Sequence, residues 1–136
     1  MIPLIAKCPK ACRETVCMPI FSHNVIPTGI YALLESYCDD PKCDCRRVFL
    51  NVVNRETNEI LATIGYGWED MEFYEKWLGD KSMRKLIQDL KGPVLELGGF
   101  QSKYAKDLLE HFKKHALNKT SIEIWKKHYK MFKEKC

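Results

Sequence analysis

The residues best equipped for chemistry are three cysteines within eight positions, Cys38, Cys43 and Cys45. They lie in the stretch Tyr37-Cys38-Asp39-Asp40-Pro41-Lys42-Cys43-Asp44-Cys45-Arg46-Arg47. Three thiolates this close form a chelating unit. Zinc is the metal expected, because it favours tetrahedral thiolate and imidazole ligation and needs no redox partner. In extended chain, Cys43 and Cys45 point to the same side, and Pro41 helps turn the chain so that Cys38 comes back toward them. The fourth ligand must come from elsewhere. His128 is preferred, because it lies on a terminal helix that must pack on the sheet; Cys17 is the next choice. His23 precedes the first strand, and nine strand residues at ~3.3 Å each place it up to ~30 Å away. The predicted site is therefore Cys38, Cys43, Cys45 and His128 around zinc. A second site built from Cys8, Cys12, Cys17 and His23 is a lesser alternative. His111 and His115, near another apolar stripe, are read as packing or surface residues.

The same thiols admit a catalytic reading. Arg46 and Arg47 follow Cys45 directly, and cations lower a thiol pKa. Asp39, Asp40 and Asp44 act the other way, and a cysteine nucleophile also wants a base within hydrogen-bond reach. There is no Cys-x-x-Cys pair. An enzyme centred on Cys38, Cys43 and Cys45 is thus the second hypothesis. A plain interaction domain with idle cysteines is the third.

These residues need a scaffold, and the periodicity supplies one. Gly29 to Tyr37 reads as a strand, with Ile30, Ala32 and Leu34 alternating with Tyr31, Leu33 and Glu35. The cysteine knuckle follows. Arg46 to Asn54 and Glu59 to Tyr66 are the next strands, joined by the polar turn Arg55-Glu56-Thr57-Asn58. Adjacent Arg46 and Arg47 would face opposite sides of the sheet. Gly65-Tyr66-Gly67-Trp68 lacks the third glycine of a dinucleotide fingerprint and the Lys-Ser/Thr of a phosphate loop; its glycines relieve crowding at the strand end.

Beyond residue 69 the period becomes helical. Asp70 caps a helix through Leu78 with Phe73, Tyr74 and Trp77 inward. Met83, Leu86, Ile87 and Leu90 form an amphipathic stripe that stops at Gly92-Pro93. A longer helix spans Gln101 to Leu117, with Asn118 as its C-terminal break. Thr120 or Ser121 caps the last, which runs to about Lys133. Ile122, Trp125, Tyr129 and Phe132 form its apolar stripe, and Lys126, Lys127, Lys130 and Lys133 point elsewhere. The expected fold is α+β: a three-stranded antiparallel β-meander followed by about four α-helices packed on it. Residues 1–136 form a single domain, with an irregular Cys/Pro-rich lead-in over 1–28, the meander with its knuckle over 29–68 and a helical part over 69–136.

At 136 residues, with 46% hydrophobic and 29% charged residues, the composition is that of an ordinary globular protein. No run approaches the ~18 apolar residues of a membrane span, and Ile2-Pro3-Leu4-Ile5-Ala6 is too short and proline-broken for a secretory leader. A cytoplasmic location follows. Seven cysteines, clustered rather than spread, then favour metal ligation or reactive thiols over a disulfide framework. The charge is uneven: residues 69–136 carry fifteen Lys/Arg against eleven Asp/Glu, which is the whole excess of +4. The basic terminal helix is the expected contact for nucleic acid or an acidic protein partner.

The string Gly29-x-Tyr31, Glu35-x-Tyr37-Cys38-x-Asp40-Pro41-x-Cys43-Asp44-Cys45-Arg46-Arg47 resembles a family of small uncharacterised prokaryotic proteins. Tyr66-Gly67-Trp68, Gln101-Ser102-Lys103-Tyr104 and His128-Tyr129 extend the resemblance over most of the chain after residue 28. It implies no activity. Cys8, Cys12 and Cys17 fall outside it.

Overall fold

A computed structural model of the chain describes residues 1–134. The architecture is α+β, as the periodicity predicts. An antiparallel sheet, built on the central meander β3 (Gly29–Tyr37), β4 (Arg47–Asn54) and β5 (Ile60–Gly67), carries helices packed on it. Val52 pairs with both Leu33 on β3 and Ala62 on β5, which fixes the register of the meander. Side chains alternate across a strand. Tyr31, Leu33, Glu35 and Tyr37 therefore share one face with Val48, Leu50 and Val52, and all seven are buried.

Three further strands flank the meander. Residues 1–28 are more ordered than an irregular lead-in. They form β1 (Ile2–Pro3), α1 (Leu4–Lys7), a 3-10 helix (Pro9–Glu14) and β2 (Cys17–Ile20). Both β1 and β2 pair with β3, at its end and its start respectively. The sequence conceals β2 because Pro19 cannot donate to a ladder. An edge strand tolerates that loss, and β2 pairs only with β3. On the far side, β6 (Val94–Leu95) adds to β5.

The helical part comprises α2 (Met71–Leu78), α3 (Arg84–Lys91), α4 (Ala105–His115) and α5 (Lys119–Lys133). Leu108 and Phe112 of α4 and Trp125 and Phe132 of α5 are buried in the core with the meander. Each large side chain removed from water contributes about 1.5–3 kcal/mol. Phe112 and Trp125 stack with ring centroids 5.9 Å apart. The stripes of α2 and α3 are shallower than their spacing suggests. Tyr74 and Ile87 are buried, but Trp77 is 45% exposed, and Met83 and Leu86 also face solvent. These two helices pack mainly on each other and on the edge of the sheet, where one row of side chains suffices for contact.

The glycines at the end of β5 make room. A Cβ on Gly67 would collide with the Tyr74 hydroxyl, and one on Gly65 with the Glu96 carboxylate and the Arg47 guanidinium. No helix among the described residues is long and apolar enough to cross a membrane.

Candidate functional site

The loop between β3 and β4 brings Cys38, Cys43 and Cys45 to one corner of the sheet. Its turn is local: Cys43 N–H donates to the Asp40 carbonyl at 3.0 Å, and Lys42 N–H to the Asp40 carboxylate at 2.9 Å. Cys45 is buried, while Cys38 and Cys43 are partly exposed. All three are free thiols. Burial, and then the neighbouring Cys45 and Cys38 thiols, push the Cys43 pKa up to about 12. The three sulfurs are thus near enough to disfavour a thiolate at the middle one. Among the described residues, no three His, Cys, Asp or Glu side chains are arranged as a metal-holding group.

Helix α5 closes over this corner, but not through His128. The Lys133 ammonium donates to the carbonyls of Asp40 at 3.0 Å and Cys43 at 2.8 Å. The Tyr129 hydroxyl donates to Asp44 at 2.9 Å and accepts from Arg46 N–H at 3.3 Å. Arg46 lies just outside β4 in the left-handed region, at φ 51°. Its guanidinium clasps Asp44 and reaches Glu69 at 2.7 Å. Arg46 first, then Tyr129, holds the Asp44 carboxyl below its usual range against the effect of burial. Arg47, inside the sheet, turns the other way. It donates to the Leu90 carbonyl at the end of α3 at 2.6 Å and pairs with Glu96 at 2.9 Å.

His128 sits elsewhere on the same helix face, and its solvent exposure is 0%. Its Nδ1 lies 2.7 Å from Glu35 on β3, whose side chain is 1% exposed, and its Nε2 lies 3.4 Å from Glu14 at the end of the 3-10 helix. The Tyr37 hydroxyl donates to the same Glu35 oxygen and to the Trp125 carbonyl at 3.1 Å. With a carboxylate at each ring nitrogen, the imidazolium, which has two N–H donors, is the form that satisfies both. Burial works against that charge, but Glu35 and Glu14 outweigh it and leave the His128 pKa raised. Lys127, at 2.9 Å, and then His128 hold the Glu14 carboxyl below its usual range.

The expected ligand set is therefore divided. Its three cysteines meet, and His128 is engaged by two carboxylates. Cys17 lies on β2, where its thiol faces the Thr15 carbonyl. In the alternative cluster, Cys8 is disulfide-bonded, which the clustering of the cysteines does not predict. His23 is unsuited as a ligand. Its Nδ1 accepts the N–H groups of Val25 and Ile26 at 3.0 and 2.9 Å, so the neutral ring carries its proton on Nε2. His111 packs beside His23 and His115, with ring centroids 6.2 and 4.4 Å away. Burial first, then the charge of His115, keeps its pKa low.

Glu35 is the site residue that the spacing alone does not reveal. The signal was present: a carboxylate on the same strand face as Tyr31, Leu33 and Tyr37 has to be paired once that face is buried.

No family model, curated protein or solved structure matches the chain. The chain's chemistry rests on two arrangements, the thiol corner and the cluster of buried Glu35 and His128 with exposed Glu14.

Proposed function

We propose that the protein is a metal-stabilised binding module in which Cys38, Cys43 and Cys45 take up a zinc ion. The observation that carries this reading is the convergence of three free thiols on a loop fastened to α5 by Tyr129 and Lys133. Thiols that disfavour one another's ionisation gain most from a cation, which replaces their protons. Metal uptake draws the three sulfurs from their present arrangement into one coordination sphere, with a fourth position left to solvent or to a partner.

The partner we propose is a protein rather than nucleic acid. Three of the five lysines of α5 are engaged within the chain: Lys126 with Glu123, Lys127 with Glu14, and Lys133 with the knuckle carbonyls. Exposed apolar side chains such as Phe21, Leu97 and Phe100 suit a protein surface better than a phosphate backbone. The catalytic alternative has less support. A Cys43 thiol with a pKa near 12 is protonated at neutral pH and is a poor nucleophile.

Metal analysis of untagged protein tests the site. About one zinc per chain is expected, with loss of the metal and a marked fall in melting temperature on Cys43→Ser. Metal-free protein that also fails to bind added zinc sinks the proposal. Salt-sensitive binding to mixed RNA and DNA would overturn the choice of partner.

A further inference from the structure

We propose that the Glu14–His128–Glu35 arrangement is a pH-sensitive latch on residues 9–16, closed while His128 is protonated and loosened when it is not. His128 bridges two parts of the fold. Glu35 belongs to β3, the first strand of the meander, and Glu14, 42% exposed, ends the 3-10 helix. The two contacts respond differently to loss of a proton. The neutral ring keeps Nδ1–H for Glu35, the shorter and fully buried contact. Its Nε2 then presents a lone pair to the Glu14 carboxylate, and attraction becomes repulsion. Glu14 retains Lys127, but that pair is solvent-exposed and worth little by itself.

The groups around the ring set the response. From β3 come Glu35 and Tyr37, from the 3-10 helix Glu14 and Cys12, and from α5 itself Lys127. Lys7 of α1 lies over the neighbouring Phe132 ring at 4.1 Å. The two carboxylates favour the proton, so the latch is closed at mildly acidic pH and loosens as pH rises above the ordinary histidine range. What the segment borders gives the latch a consequence. A pocket of about 210 Å³, lined by Leu4, Cys12, Thr15, Leu34 and Glu35 among others, borders the segment at Cys12 and Thr15. Loosening widens this pocket and further exposes the free Cys12 thiol.

Amide hydrogen exchange on the full chain, corrected for the intrinsic pH dependence of exchange, tests this between pH 6 and 9. The reporters are the amides of Ala11, Thr15 and Leu33, which bond to the carbonyls of Cys8, Cys12 and Val16. Their protection is expected to fall about tenfold across this range, the worth of one charge-assisted hydrogen bond, while amides of β4 keep theirs. In Glu14→Gln the same amides are weakly protected at both ends of the range, without the fall. Constant protection in the wild-type protein overturns the latch. So does a fall shared by β4, or a Glu14→Gln variant with the wild-type profile.

Discussion

Tyr129 shows what single side chains do at the thiol corner. Its hydroxyl is at once a donor to Asp44 and an acceptor for the Arg46 amide. Tyr129→Phe keeps the ring in contact with Trp68 and Tyr37 but leaves both partners short of a bond. Losing them should cost about 1–2 kcal/mol, read as a lower urea midpoint with an unchanged slope. An unaltered midpoint would mean that α5 holds the loop by Lys133 and packing alone. At this scale the cysteines were legible from their spacing and the role of Tyr129 was not. It stood in the apolar stripe of α5, and nothing in that pattern says where its hydroxyl reaches. The same holds for Arg46, which a strand reading places inside β4 and the structure places in a left-handed turn before it.

Among the elements, α5 is the one whose start matters most, because it carries Trp125, His128, Tyr129 and Lys133 to their partners. Asn118 sets that start. Its side chain accepts from Ser121 N–H at 2.9 Å, so it is the N-cap of α5 rather than only a break after α4. Asn118→Ala removes this bond and should cost about 1 kcal/mol, whereas Asn118→Asp should be nearly neutral because it keeps the acceptor. Equal melting temperatures for all three proteins would show that packing alone fixes the helix. The meander was readable because alternation survives wherever one face is buried. The α2–α3 pair was misjudged on Trp77 and Leu86 because a helical stripe reports amphipathicity, not the depth of what lies against it.

For the molecule as a whole, the shifted groups bound stability on two sides. Glu14 and Asp44 have pKa values below their ordinary ones, so their contribution is present above the unfolded carboxylate range and lost as pH falls through the folded values. His128 is raised, so its contribution is complete below the unfolded histidine value and lost as pH rises through the folded one. With chelator present to remove the pH dependence of metal binding, the melting temperature should peak between about pH 5 and 6.5. A melting temperature still climbing from pH 6.5 to 8.5 would contradict the pairing of His128 with both carboxylates.

The links from α5 to the first half of the chain span long stretches of sequence: Tyr37 to Trp125, Glu35 to His128 and Cys43 to Lys133. On the ribosome, the sheet strands and all three thiols of the corner are made long before the helix that covers them. Glu35 waits for its histidine over the same interval. A nascent chain therefore carries its thiol corner uncovered until α5 has been made. That interval, rather than the folded lifetime of the protein, is when the sulfurs are most open to whatever ion or oxidant the surroundings offer.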